Sequence, residues 1–362
     1  ASRLNIILPV GISFYTFQTL SYSIDVYRRK LAPCREPISF FAFVSFFPQL
    51  VAGPIERASN LLPQFASKRQ FSPSEASDGM RQILWGLFKK VVIADNCAAF
   101  VNPVFEAPGD ASGSTLVFAA ILFGLQIYGD FSGYSDIAIG TARLFGFRLM
   151  RNFAFPYFSR DVAEFWRRWH ISLSTWFRDY VYIPLGGNQG PRGQQVRNVF
   201  LVFLVSGLWH GANWTFVVWG FLHACFILPL ILLKKNRTYL GPIAENRLFS
   251  TFPEFFQVLA TFLLVNLAWI FFRCDSLPDA LTYLQGIFHP SILDYPKTPD
   301  RILGLFIAIL LLTEWFQRNK EHGLSLDSGT VPRWIRWPIY GYLTYCIIYH
   351  GGQSQDFIYF QF

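Results

Sequence analysis

Val199–Leu233 is a run of thirty-five residues without a lysine, arginine, aspartate or glutamate. As one helix it would extend roughly 52 Å, against a hydrocarbon core of about 30 Å. The run must therefore break, tilt hard or fold back. Ser206-Gly207 and Gly211 flank Leu208-Trp209-His210, and these glycines are the natural break. In GLWHGANWTFVVWG (207–220), His210 and Asn213 then sit where two helical pieces meet, well inside an apolar zone. A titratable group at membrane depth is costly, and the default expectation for it is function.

Further apolar runs occur near 4–22, 115–128, 255–272, 302–316 and 337–349. The run 38–53 contains Pro48 and reads as broken or re-entrant. The run 84–93, interrupted by Lys89-Lys90, reads as interfacial. Only 15% of the 362 residues are charged and 52% are hydrophobic, too little polar surface to coat a soluble globule. The net charge of +8 comes from short clusters such as Arg28-Arg29-Lys30, Lys89-Lys90, Arg167-Arg168 and Lys234-Lys235 beside apolar runs. That pattern fits juxtamembrane anchoring and speaks against nucleic acid as a partner. The five cysteines are scattered, with neither a metal spacing nor an even disulfide count. There is no internal repeat and no signal-peptide pattern, and the chain begins at Ala1 close to an apolar stretch. The expected architecture is all-α: one polytopic membrane domain over 1–362, with transmembrane, re-entrant and interfacial helices around a central tunnel. N-terminal transmembrane helices of a longer protein are expected to be missing.

The segment from Asp161 to Gly187 reads as an amphipathic helix. Phe165, Trp166, Trp169, Leu173, Phe177 and Tyr180 fall on one stripe, with Arg167, Arg168, Thr175, Arg178 and Asp179 opposite. His170 lies at the edge of the apolar stripe and so faces inward. Of the six histidines, His289, His322 and His350 sit at segment ends or in polar loops and read as solvated or interfacial. His223 lies thirteen positions after His210, so on a continuous helix the two rings diverge. His210 and His170 remain as candidates. Desolvation favours the neutral imidazole, the form a general base needs. Asn213 would hold a ring tautomer or donate to a developing oxyanion. With no G-x-S-x-G elbow and no HExxH, this pattern suits direct acyl transfer between two substrates without a covalent serine intermediate or a metal.

Six stretches carry a resemblance to a known family: LPVGISFYTFQTLSYSIDVYR (8–28), FFPQLVAGPIERASNLLPQF (46–65), YGDFSGYSDIAIGTARLFGF (128–147), NFAFPYFSRDVAEFWRRWHISLSTWFRDYVYIPLGGN (152–188), GLWHGANWTFVVWG (207–220) and FIYFQF (357–362). In order and along the whole chain, they resemble the membrane-bound O-acyltransferase superfamily. The similar branch is that of bacterial alginate O-acetyltransferases and D-alanyl-lipoteichoic acid transfer proteins. The resemblance implies His210 as the catalytic base and His170 as a second active-site histidine on the facing wall. Trp209, Asn213, Trp166, Arg167, Ser174, Trp176 and Asp179 would shape the site. It further implies a multi-pass protein of the bacterial cytoplasmic membrane and no bound cofactor. The acyl donor would be a cytoplasmic thioester, acetyl-CoA or an acyl-loaded carrier protein. The acceptor would be an extracytoplasmic polysaccharide, reached through a partner acyltransferase protein.

Other elements of these stretches read as structural. Asp130 and Asp136 in DFSGYSD are too few and too oddly spaced for a metal site, and are expected in a re-entrant loop, bonded by backbone amides or by arginines such as Arg143. Gly53-Pro54 would turn a broken helix. Gln49 and Arg57 would line a cavity mouth, where an arginine suits phosphate. Two N-x-[ST] sequons, at Asn213 and Asn236, are expected to be unmodified. Two rival functions are a proton-coupled transporter or channel using the same histidines as relay groups, and a non-catalytic membrane scaffold of a glycan-export complex.

Overall fold

The computed structural model describes residues 11–326 and 331–358. The first part of the N-terminal apolar run, loop residues Asp327, Ser328 and Gly329, and the end of FIYFQF lie outside the described residues. Within them the chain forms helices and no strand. In order these are α1 (Ile12–Tyr27), α2 (Pro37–Val44), α3 (Ala58–Ala66), α4 (Pro73–Leu87), α5 (Asp95–Glu106), α6 (Gly113–Leu144), α7 (Val162–Arg168), α8 (Ile171–Phe177), α9 (Arg192–His210), α10 (Trp214–Leu232), α11 (Phe252–Arg273), α12 (Leu277–Ile287), α13 (Arg301–Phe316) and α14 (Arg333–Tyr349). A π-helical segment, Phe88–Ala94, joins α4 to α5.

Three of these helices, α6, α10 and α11, are long and apolar enough to cross a membrane. They differ in what covers them. The most apolar window of α6 is 83% buried inside the protein, whereas those of α10 and α11 are 44% buried. So α6 is the central post, and α10 and α11 turn apolar faces outward. Phe255, Phe256, Leu259, Leu263 and Leu267 lie exposed on α11, a surface suited to lipid contact. The apolar runs near 302–316 and 337–349 form helices of 16 and 17 residues, short of the roughly 20 that a full span needs.

The central post is not the loop expected from DFSGYSD. Those residues continue α6 without interruption, and the glycines serve packing instead of a turn. Gly133 and Gly140 face Gly86 and Gly79 of α4: a Cβ on Gly86 would sit 2.6 Å from the Gly133 carbonyl oxygen, and one on Gly79 2.7 Å from that of Gly140. Seven-residue spacing on both helices makes one antiparallel seam of backbone contact. Gly86→Val should therefore force the helices apart and cost about 1–3 kcal/mol, read as a lowered Tm of the purified protein in detergent. An unchanged Tm would remove the seam as a determinant of stability.

The run 84–93 is likewise not interfacial. Lys89 is 2% exposed and pairs with Asp136 at 2.6 Å. Lys90 reaches Asp130 at 2.7 Å and Asp95 at 2.8 Å. Two consecutive lysines, about 100° apart on their own helix, meet two aspartates about 120° apart around α6. Arg143, expected near those carboxylates, pairs instead with Asp78 and Glu321. His322 is no solvated loop residue either: it is buried with Nε2 3.3 Å from Asp78. Burial alone would raise the Asp78 carboxyl, but His322, Arg81 and Arg143 outweigh it and hold it below the usual range.

Candidate functional site

The run 199–233 does fold back. The helix α9 ends at His210, Gly211 leaves helical geometry, and α10 restarts at Trp214. A Cβ on Gly207 would lie 2.3 Å from the Phe216 carbonyl oxygen, and one on Gly220 2.3 Å from that of Phe203. The two helices thus form a tight antiparallel hairpin with His210 at its turn. The half-buried His210 ring is walled by aromatic groups: Trp209 at 4.7 Å, Trp219 at 5.0 Å and Phe272 at 5.0 Å between ring centroids.

The segment 161–187 is not one helix. It breaks between α7 and α8 at His170, which takes a left-handed backbone conformation with φ 43°. Such a conformation in a non-glycine residue is strained and marks a constrained position. The apolar stripe is buried as expected at Phe165, Trp169, Leu173 and Phe177. The kink turns the His170 ring inward, 1% exposed, between Phe131 at 4.6 Å and Phe153 at 6.4 Å. His170 lies outside the three spanning helices. Burial, with a smaller push from His210, holds its imidazole well below the ordinary histidine value. It is neutral at neutral pH.

The two histidines come from segments forty residues apart and are linked through a short chain of aromatic contacts. Phe14 of α1 joins the His170 ring, at 6.4 Å, to Trp209, at 6.4 Å, and Trp209 packs on His210. The His170 Nδ1 edge is engaged by Asn152 at 3.1 Å. Among the described residues its buried Nε2 meets no hydrogen-bond partner. Buried polar atoms are rarely left so, and each such case calls for an explanation.

The remaining candidates divide. Trp209 packs on His210 and on Phe17 at 5.1 Å. Trp176 donates to the Phe17 carbonyl at 3.1 Å and so positions α1. Trp166 donates instead to Nδ1 of His223 at 3.2 Å. Asn213 does not address the His210 ring: its Oδ1 caps α10 through Thr215 N–H, and its Nδ2 donates to the Asp275 carbonyl. Asp179 pairs with Arg178 and with Arg57, away from both rings. Arg57 meets Asp179 through Nη2 alone, at 3.4 Å, and among the described residues its buried Nη1 has no hydrogen-bond partner. Gln49 is buried, and among the described residues neither of its amide atoms meets a hydrogen-bond partner.

Arg167 donates to the carbonyls of Asn236 and Tyr239. It also borders a cavity of about 520 Å³ with Ser174, Trp166, Arg151, Arg168, Arg178 and Arg318. Glu164 is its one carboxylate, and Arg160 and Arg168 already bind it. Ile171, next to His170, lines the same cavity. One further residue escaped the sequence reading: His223, which shares Trp219 with His210, at 5.1 Å and 5.0 Å. The angular argument that separated the two rings assumed one continuous helix, and the break at Gly211 removes that premise. Among the described residues no cluster of metal-ligating side chains occurs.

The family model described as "MBOAT, membrane-bound O-acyltransferase family" matches residues 35–238. The chain is 43% identical over 284 residues to the Pseudomonas aeruginosa protein named "Probable alginate O-acetylase AlgI", covering 78% of this chain and 52% of that one. It is 40% identical to the Helicobacter pylori "Peptidoglycan O-acetyltransferase", covering 78% of this chain and 57% of that one. It is 28% identical to the Streptococcus thermophilus "Teichoic acid D-alanyltransferase", covering 71% and 68%. The chain spans about half the length of the first of these relatives.

Proposed function

The chain belongs to the membrane-bound O-acyltransferase family, and on that premise we propose that its protein moves an acetyl group from a cytoplasmic thioester toward an extracytoplasmic polysaccharide. The observation that carries this reading is that His170 and His210, aromatic-walled rings from separate segments, are linked through Phe14 and Trp209. His210 acts as the general base. It takes the proton of an acceptor hydroxyl as that oxygen bonds to the thioester carbonyl carbon. The C–S bond then breaks, and the thiolate leaves with the proton from the imidazolium. No step needs a metal or a covalent enzyme intermediate. The setting is the bacterial cytoplasmic membrane, which the chain crosses several times. A partner acyltransferase on the outer side completes polymer modification. Its relatives' names favour an acetylated polymer over a D-alanylated one, since the two O-acetylating relatives are 40–43% identical and the D-alanyl one 28%.

The arginine-bordered cavity supports a donor with phosphates, CoA or a phosphopantetheine arm. Its surplus of guanidinium groups suits such an anion, and Arg151 there has a buried Nη2 without a partner. In full-length protein reconstituted in vesicles, Arg151→Gln should raise the KM for acetyl-CoA by about tenfold, the equivalent of one charge-assisted hydrogen bond, with kcat little changed. An unaltered KM would detach this cavity from the donor. The reading as a whole is tested by loss of acyl transfer in His210→Ala with polymer synthesis intact.

A further inference from the structure

We propose that Asn152 is a positioning residue that fixes the proton of His170 on Nδ1, so that its buried Nε2 is left a bare hydrogen-bond acceptor. This rests on the acyltransferase reading and adds to it the form in which the second histidine works.

The end of the Asn152 amide that faces His170 is fixed by its other contacts. The backbone N–H of Ser172 can only donate, and it points at that same amide atom at 3.3 Å. The atom is therefore the oxygen, Oδ1. The other end agrees, since Nδ2 of Asn152 lies 3.0 Å from Ser135 Oγ and donates to it. Ser172 Oγ also donates to Oδ1, at 2.9 Å. An amide oxygen holds no proton, so the contact at 3.1 Å requires His170 Nδ1 to carry one. In a neutral imidazole the other nitrogen is then unprotonated. That nitrogen is the buried Nε2 that no described group satisfies.

The anchor is rigid at every point. Asn152 is fully buried, as is Ser172, and Ser135 belongs to the central post α6. The Asn152 backbone carbonyl accepts the Ile171 N–H at 2.9 Å, which clamps the chain on the far side of the left-handed His170. Backbone and side chain of one asparagine thus hold both the turn and the ring. The chemical consequence is specific. A bare Nε2 accepts a hydrogen bond from a second, neighbouring hydroxyl of the acceptor and so orients it, while His210 removes the proton of the attacking one. It has no hydrogen to give to the tetrahedral oxyanion, whose stabilisation must come from other donors.

The experiment uses full-length protein in nanodiscs with ¹⁵N-labelled histidine, the His170 signals being assigned by their loss in His170→Gln. We expect a protonated Nδ1 and a pyridine-type Nε2. Asn152→Leu should abolish that preference and lower acyl transfer about tenfold to a hundredfold. Asn152→Asp keeps an acceptor at Nδ1, so it should retain the tautomer, recover transfer relative to Asn152→Leu, and move the acidic limb of the pH–rate profile upward because a carboxylate stabilises imidazolium. A wild-type Nε2–H tautomer overturns the proposal, as does a tautomer unchanged in Asn152→Leu. If that variant does not fold, the wild-type spectrum and the pH profile of Asn152→Asp decide the matter. Retention of transfer by His170→Gln would instead sink the acyltransferase role of His170, whatever the spectrum shows.

Discussion

Replacing His210 with alanine in the full-length protein should lower acylation of the secreted polymer by about 10²–10⁴-fold, the range that a positioned general base contributes. The reasoning starts from where the ring stands. It closes the α9–α10 hairpin, with Trp209, Trp219 and Phe272 at its sides. These walls leave few competing acid–base groups, so a lost imidazole is not replaced by a neighbour. His210 is half-buried and tops a helix end instead of filling the core, so the variant should still fold and insert. His210→Gln keeps the volume and a polar end yet cannot take a proton, and should be about as inactive as alanine. Three outcomes discriminate among functions. A transferase makes unacylated polymer. A scaffold keeps its acylation. A proton-coupled carrier changes flux while chemistry persists when donor is supplied on the far side. Only the first agrees with the role proposed here.

Much of this site was legible because two short polar interruptions stood out in apolar surroundings. The break near Gly211 followed from length alone, since thirty-five uncharged residues overshoot a bilayer. What sequence period could not supply was the partner of each polar group. The glycines of DFSGYSD looked like a turn, but they form a seam against Gly79 and Gly86 of α4, a contact far away in sequence. The 161–187 stripe predicted the buried faces of α7 and α8 correctly, yet not the kink at His170, whose clamp is Asn152 in the preceding segment. Asn213 had the right neighbourhood and the wrong task, because a residue just before a helix most readily caps it. His322 looked solvated in its loop until Asp78 of α4 was seen to face it. In each case the missing information is tertiary, and no local pattern encodes it.

The buried lysine at position 89 gives the largest expected effect on stability. Lys89→Met should destabilise the protein by about 3–5 kcal/mol, the cost of leaving one member of a buried ion pair without its counter-charge. The pair is well built for such dependence. Lys89 Nζ lies 2.6 Å from Asp136, donates to Ser132 Oγ at 2.9 Å and sits 5.4 Å from the Tyr128 ring. Among the described residues Asp136 has one other side-chain donor, Gln82 at 2.8 Å, a neutral amide, and the Arg151 guanidinium acts on it only at longer range. Nor can Lys90 substitute, because Asp95 and Asp130 already occupy it. Deleting the ammonium therefore strands a carboxylate against the central helix. Removing both charges is different: Lys89→Met with Asp136→Leu replaces the pair by apolar groups of similar size, and such exchanges are often near neutral. The double variant should recover part of the loss in thermal unfolding in detergent, a coupling of over about 1 kcal/mol by double-mutant cycle, the remainder reflecting buried Glu314, which Lys89 also faces. If the two single losses merely add, the pair contributes no mutual stabilisation. The long helix α6 would then owe its place to the Lys90–Asp130 pair, the glycine seam and apolar packing.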